Sequence, residues 1–236
     1  MRECVERGGE RGALPFSRRC ALLIVLAMLA FGGLFAASIG LYPGGNWLDR
    51  AAHGHRFFAN YFCDLTQPVS LSGVSNPVGS RLAQLAMLCF AAALAGFFWL
   101  VPVYFESSAR SAAWVRGLGE CAVLSYVAVP FTPSEIFGDI HAWLSLLSGA
   151  LGISAALCAV AALLRSSRMA RAMGVLGALA LAAGVVHAAL FVHYLHAREP
   201  APLIVPAAQK AAALLLSTWM LGVAWLTLSR RRENAR

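Results

Sequence analysis

The sequence predicts an all-α membrane protein, a polytopic bundle of six transmembrane helices with both termini in the cytoplasm. Hydrophobic residues make up 59% of the 236 residues and charged residues only 13%, whereas about 25% of a soluble domain is charged. The apolar residues fall into six runs, each near the roughly 20 residues needed to cross the hydrocarbon core. Helices of that length satisfy their own backbone hydrogen bonds in lipid, which makes the bundle the expected fold.

Basic tails at residues 1–19 and 230–236 flank a predicted transmembrane domain at 20–229. The spans are predicted at about 20–42, 82–105, 112–131, 133–164, 172–195 and 206–228. The first run is longer than the apolar part of a signal peptide, so we expect it to be retained. Ser75 or Asn76, followed by Pro77, predicts a cap for the second helix. Thr132-Pro133-Ser134-Glu135 matches the capping-box pattern and predicts the start of the fourth helix.

Lysine and arginine are distributed unequally between the two sides of this bundle. Fourteen of the 19 lie in the tails or beside the links after the second and fourth spans, and five lie on the other side. By the positive-inside rule the basic side faces the cytoplasm. We therefore expect a multi-pass protein of the cell membrane, or of the inner membrane in a Gram-negative bacterium.

The expected partners are membrane lipids, and no nucleic acid is expected to bind. The basic residues do not alternate with aromatic side chains, as they do in proteins that bind single strands. The sequence gives no indication of the oligomeric state.

Ionisable side chains collect on the predicted non-cytoplasmic half. All six histidines lie there: His53, His55, His141, His187, His193 and His196. His141 and His187 fall inside apolar spans, each on a helix face of small or polar residues. A polar group at membrane depth is costly, which makes it a candidate functional residue by default. The alternative for each is a structural, neutral histidine bonded to a neighbouring helix.

The loop between the first two spans, at about 43–80, is the longest and is rich in aromatic residues. Asp64 lies in an apolar stretch of this loop and is expected to have a partner, for which Arg81 is a candidate. A capping or pairing role within the loop is the alternative. The leading hypothesis is a polar pocket of Asp64, Arg81, His141 and His187 that binds a lipid headgroup or a proton, with no cofactor.

A zinc site is the second interpretation of the same region. Asp64, His141, His187 and His193 carry side chains of the kinds that bind zinc, which lowers the pKa of a bound water to about 7. Such a site would make the protein an intramembrane hydrolase of lipid amides or esters. The sequence has no GxSxG, HExxH or Walker motif, so the catalytic residues of any enzyme here are unknown.

A proton-coupled transporter is the third interpretation. It requires a polar route from Glu120 in the third span to the histidines, but the residues between them are apolar. Arg116 lies one turn before Glu120, so a simple ion pair along the helix is the alternative for that residue.

Three short motifs extend over most of the chain. They are Asn60-Tyr61-Phe62-Cys63-Asp64-Leu65 with Asn76-Pro77, Pro130-Phe131-Thr132-Pro133 followed by His141, and Gln209-Lys210 with Trp219. In these the chain resembles the six-span membrane proteins of the Frag/DRAM type, and more closely a prokaryotic branch without an assigned activity. The resemblance implies a bundle in which the loop meets the histidine of the fourth span on the non-cytoplasmic side. Cys63 departs from the pattern, since relatives more often carry a small hydroxyl residue there.

A fainter resemblance, to the seven-span ceramidase and progestin-receptor hydrolases, rests on Asp64, His141, His187 and His193. Those proteins hold zinc near one membrane face with an aspartate and several histidines. The span count and the residue spacing differ here. This likeness implies the zinc-dependent alternative and nothing further.

Overall fold

A computed structural model describes residues 15–105, 109–197 and 202–233, with side chains to residue 229. The helices are α1 Phe16–Leu41, α2 Pro77–Leu100, α3 Ala109–Ala128, α4 Ser134–Phe137, α5 Asp139–Leu164, α6 Arg168–Ala197 and α7 Ile204–Glu233. In these ranges the chain forms no β-strand, only isolated bridges that join Gly44 to His53 and Val69 to Ser75. The all-α prediction is confirmed.

Six of the helices, all except α4, are long and apolar enough to cross a membrane. Short 3₁₀ turns at Val101–Tyr104 and Val129–Phe131 extend α2 and α3. The prediction of six spanning helices is confirmed, and the chain is a multi-pass membrane protein by this criterion.

Five of the six long helices begin before the apolar runs that predicted them. α1 begins at Phe16, so Arg18 and Arg19 belong to the helix and not to the tail, and α7 continues to Glu233. Apolar runs mark the hydrocarbon core, whereas helical hydrogen bonding continues through the interface where polar side chains are solvated. Residues 1–14 and 234–236 of the predicted tails lie outside the described residues.

The predicted start of the fourth span is wrong. The Thr132–Glu135 pattern precedes a separate one-turn helix, α4, and α5 begins only at Asp139 after Gly138, whose φ is 48°. The Thr132 hydroxyl donates back to the carbonyls of Ala128 and Val129 and therefore does not cap α4. Glycine at positive φ allows the chain to change direction between the two helices.

The six long helices form a closed ring, in the order α1, α2, α3, α5, α6, α7 and back to α1. We call the end with residues 42–76, α4 and the starts of α5 and α7 the loop end. The opposite end, where α1, α3 and α6 begin, is the basic end. Its arginines include Arg18, Arg19, Arg110, Arg165, Arg168 and Arg171.

The hydrophobic core fills the half of the ring towards the basic end. Phe97 of α2 and Trp219 of α7 are fully buried, with ring centroids 4.7 Å apart. Gly177 of α6 makes room for this pair, because a Cβ atom there would lie 2.5 Å from the Trp219 ring. The other half of the ring is less densely filled, and it contains the candidate site.

Candidate functional site

The ring encloses a cavity of about 1380 Å³. Trp219, Phe97 and Leu216 form its deep wall, and most of its other lining is also apolar. Polar groups concentrate towards the loop end: Asp64, Ser134, Asp139, His141, His187, His193 and Gln209. The volume exceeds the roughly 300–1,000 Å³ of a typical small-molecule pocket, and the lining resembles the environment of an amphiphile with its polar end towards the loops.

Three of the four predicted pocket residues line this cavity, namely Asp64, His141 and His187, and so does His193. Arg81 does not. It is exposed on the outside of α2 and is absent from the cavity lining. Arg81 shares a helix face with the exposed Val78 and Leu85, so the structure does not bring it into the cavity with the other three predicted pocket residues.

Asp64 is satisfied by neutral donors and not by a salt bridge. It is 1% exposed and accepts hydrogen bonds from Trp47 Nε1 at 3.0 Å, Asn60 Nδ2 at 3.2 Å and the Tyr61 amide at 2.8 Å. Burial raises the pKa of Asp64 to about 6, although these hydrogen bonds and the charge of Lys210 oppose the shift. The carboxylate thus organises the turn around it.

Lys210 fixes the loop to the start of α7. Its ammonium group donates to the Asn60 carbonyl and lies over the rings of Phe62 and Phe57, 4.6 and 5.7 Å from their centroids. The neighbouring Gln209 accepts a hydrogen bond of 2.9 Å from the Phe62 amide. We call Gln209 and Lys210, with the Asn60 and Phe62 groups that they bind, the latch.

In the sequence, Lys210 is one of the basic residues on the outer side and part of the Gln209-Lys210 motif, but its contacts with the loop were not predicted. The available signal was a lysine within the first turns of an otherwise apolar span. Such a residue needs a buried partner, because an unpaired charge is costly at membrane depth. Here the partners are a backbone carbonyl and two aromatic faces.

Residues 42–76, which we call the cap, are folded onto the bundle. Asn60 Nδ2 donates to the Gly45 carbonyl at 2.7 Å, and Tyr42 bridges to Leu71 through its hydroxyl. Gly45 has a φ of 85°, and a Cβ atom there would lie 2.3 Å from the Ser72 nitrogen. Only glycine fits this close approach. The cap is therefore a defined structure that lies over the loop end of the cavity.

Asn76 lies between the cap and α2, at the position predicted for the N-terminal residue that precedes the helix. Its side chain makes no capping hydrogen bond to the helix. It donates instead to the carbonyls of Leu65 and Gln67, at 3.4 and 3.2 Å. This residue therefore holds the end of the cap and not the first turn of the helix.

His141 joins the end of α3 to the start of α5. Its side chain is buried, and Nδ1 lies 2.7 Å from the Thr132 carbonyl. Since a carbonyl only accepts, Nδ1 carries a proton and donates to it. His187, on α6, has a buried Nδ1 without a hydrogen-bond partner in the structure. His193 is more exposed and packs its ring against Tyr194.

The four residues of the predicted zinc site line different parts of the cavity. Across the described ranges, no group of three or more His, Cys, Asp or Glu side chains is placed to hold a metal ion. Both Asp64 oxygens are already acceptors for the Trp47, Asn60 and Tyr61 donors. Asp64, His141, His187 and His193 share a cavity but do not converge on one point.

Glu120 lies outside the cavity. It is exposed on α3 and absent from the cavity lining. Arg116 directs its guanidinium over the Trp99 ring, 5.1 Å from the centroid. No ion pair joins Arg116 to Glu120 among the described side chains. A polar route from Glu120 to the histidines is therefore not formed by these residues.

Comparison with known proteins gives no relatives for this site. No protein-family model, curated protein or solved structure matches the chain at the significance required.

Proposed function

We propose that this protein binds a membrane lipid within its ring of helices, and that it is a binding protein and not an enzyme. The polar end of the lipid lies near Asp64, His141 and His187, and its acyl chain extends towards Trp219. The observation that carries the proposal is the polarity gradient along the cavity, from polar side chains at the loop end to the aromatic deep wall.

The size of the cavity favours a lipid over a proton. A proton relay needs only a file of polar groups, whereas this cavity of about 1380 Å³ is walled mainly by apolar side chains. Burying an acyl chain against those side chains keeps apolar surface away from water and is favourable. The few polar groups at one end orient the ligand.

The loop end belongs to the non-cytoplasmic face in this proposal. The described arginines at the basic end, including Arg18, Arg19, Arg165 and Arg168, support that orientation under the positive-inside rule. The cell membrane is the proposed location, with both termini in the cytoplasm. Membership of the Frag/DRAM-type family is part of the same proposal, supported by the cap motif and by the position of His141 at the start of α5.

Quenching of tryptophan fluorescence by brominated phospholipid tests the proposal. Bromine quenches an indole only at short range, so a buried tryptophan is quenched only when an acyl chain reaches it. Trp219 is 0% exposed, whereas Trp225 on the same helix is 69% exposed and serves as the lipid-facing control. The fluorescence of each of these two tryptophans is obtained as the difference between the wild-type signal and that of the corresponding Trp→Phe variant.

We expect quenching of both Trp219 and Trp225 in bilayers of brominated lipid. Quenching of Trp225 alone would show that no chain enters the cavity and would overturn the proposal. The His141→Ala/His187→Ala variant should bind the lipid about thirtyfold more weakly, since each of the two lost hydrogen bonds contributes about 1 kcal/mol, and it should retain correspondingly less co-purifying lipid. Unchanged lipid content in a folded double variant would remove these histidines from the site.

A further inference from the structure

We infer that the lipid enters the cavity sideways from the bilayer, through a gap between α5 and α6 in the leaflet next to the loop end. The inference rests on the proposed function and adds the source and route of the ligand. Two independent features support it: the cap covers part of the loop end, and α5 and α6 lose their close contacts where they line the cavity.

The cap covers the loop end where it packs on α1, α2 and α7. Asp64 and Leu65 are 1% and 0% exposed, and Asn60 and Thr66 are 0% exposed. The latch fastens this segment to α7 through the Phe62 amide and the Asn60 carbonyl. A ligand that came from the aqueous phase through this segment would have to break both hydrogen bonds and expose these buried groups.

Close packing joins α5 to α6 near the basic end. A Cβ atom at Gly174 would lie 3.0 Å from the Leu164 side chain, and one at Gly177 would lie 2.9 Å from Val160. Towards the loop end this contact is lost. A Cβ atom at Gly149 of α5 or Gly184 of α6 would have no neighbour within 4 Å.

The burial of residues on α5 and α6 also decreases towards the loop end. The buried residues of α6 are Ala170, Gly174, Gly177 and Ala180, all in its first half. In α5 the interval between Ala142 and Ala155 contains no buried residue. Both intervals border the cavity, so the wall between α5 and α6 is thin and open at the loop-end half of the bundle.

Two other seams of the ring are closed at this level. Phe35 of α1 packs with Ala83 and Ala86 of α2 in a buried cluster under the cap. Between α3 and α5, Ser148 Oγ donates to the Ala122 carbonyl at 3.1 Å. The gap between α5 and α6 is therefore the side opening that the described side chains favour.

The chemistry of the gap suits an acyl chain. Exposed residues that line both the cavity and this opening are small or apolar: Ala150, Ser154, Val185, Ala189 and Val192. His193, exposed one turn further towards the loop end, lies where a headgroup would remain at the interface. The occupant we infer is therefore an acyl-chain lipid of that leaflet, and not a solute from water.

The experiment compares the time at which a lipid enters the cavity with the time at which it arrives in the bilayer. The protein is placed in nanodiscs of ordinary phospholipid, and brominated phospholipid is then delivered by cyclodextrin. Quenching of Trp225, which faces lipid, reports arrival in the bilayer, and the lag before quenching of Trp219 reports entry. Gly149→Leu/Gly184→Leu fills the gap where a side chain meets no neighbour.

Two variants are controls. Gly33→Leu makes the same change on α1, again with nothing within 4 Å, at an exposed position that does not line the cavity. Gln209→Ala weakens the latch. We expect the gap variant to slow Trp219 quenching at least about tenfold, which corresponds to 1.36 kcal/mol on the barrier. After long incubation, the final extent of Trp219 quenching in the gap variant should match wild type. The rates of Trp219 quenching in Gly33→Leu and in Gln209→Ala should also match wild type.

The outcomes separate the route from the proposed function. Unchanged entry in the gap variant, or faster entry when the latch is weakened, overturns lateral entry while lipid binding stands. Absence of Trp219 quenching in wild type overturns both. If the double substitution lowers the final extent, the single variants Gly149→Leu and Gly184→Leu replace it, and a wild-type entry rate in both then counts against the route.

Discussion

Asp64 shows how a buried carboxylate is tolerated without a cation bonded to it. Each of its three hydrogen-bond donors is neutral, and one of them, Trp47 Nε1, comes from a distant part of the cap. Hydrogen bonds to a carboxylate favour its charged form, whereas burial favours the neutral form. Burial prevails, and the pKa rises to about 6 from an ordinary value of 3.8.

This shift predicts how stability depends on pH. Between pH 3.8 and about 6 the folded chain holds a proton on Asp64 that the unfolded chain releases. The contribution of Asp64 to stability therefore falls as pH rises through that interval and is level above it. In Asp64→Asn, which has no such proton, the fall is absent. The melting temperature of wild type minus that of the variant should decrease from pH 4 to 6.

Taking this difference removes the influence of His55. Burial lowers the pKa of His55 to about 4, so His55 makes stability rise with pH in nearly the same interval, equally in both proteins. The amide introduced by Asp64→Asn cannot accept at every site that the carboxylate does, which adds an offset that does not change with pH. A difference that is constant or increases with pH would contradict the raised pKa.

At the scale of elements, the latch connects a transmembrane helix to a loop. Ordering this loop costs conformational entropy, and the hydrogen bonds of the latch help to offset that cost. Gln209 accepts from the Phe62 amide at 2.9 Å, and that amide begins the 3₁₀ turn that contains Asp64. The geometry of the cap therefore depends on where α7 begins.

Gln209→Ala should leave the partly buried Phe62 amide without its acceptor, at a cost of about 1–3 kcal/mol. We expect faster hydrogen exchange in residues 60–66, by about tenfold or more, with the cores of α2 and α7 unchanged. Gln209→Glu keeps an acceptor oxygen and should exchange more slowly than the alanine variant. Equal exchange in wild type and Gln209→Ala would show that the latch does not hold the cap.

Helix packing at α3 can be tested with two glycines on one helix. A Cβ atom at Gly119 would lie 2.3 Å from the Phe98 ring, whereas at Gly117 it would have no neighbour within 4 Å. Gly119→Ala should lower the melting temperature in detergent, because the ring of Phe98 is buried and must move. Gly117→Ala should leave it unchanged or raise it by the helix propensity of alanine. The reverse order would contradict the packing of α2 on α3.

At the scale of the whole molecule, the ring is tight near the basic end and loose near the loop end. The dense half carries the large buried side chains, Trp219 and Phe97 among them. The loose half depends on the cap for closure. Under the proposed function, this division places the stabilising core in one half of the bundle and lipid binding in the other.

The proposed orientation is tested by paired serine substitutions. Ser75 is exposed in the cap and Ser167 is exposed in the turn between α5 and α6. In intact cells, a membrane-impermeant maleimide should modify Ser75→Cys and should modify Ser167→Cys only after permeabilisation. Wild type, with its native cysteines, gives the background. The opposite pattern would invert the topology.

The sequence by itself determined the six spans, because a run of apolar residues long enough to cross lipid permits little other than a helix. It also indicated Asp64, His141, His187 and His193, which line the cavity, as candidate site residues, because ionisable groups are conspicuous in apolar surroundings. These predictions depend on local composition, which requires no knowledge of neighbouring segments.

Only the tertiary structure decided which groups meet. In the structure Arg81 lies on the outside of α2, and Asp64 accepts a hydrogen bond from Trp47. Lys210 donates to the Asn60 carbonyl, 150 positions away in the chain. It also replaced a single fourth span with α4 and α5. Hydrogen-bond partners and the cavity itself depend on the direction of side chains around helices and on how the helices close into a ring. Both are set by packing between distant segments, for which one sequence carries no local signal.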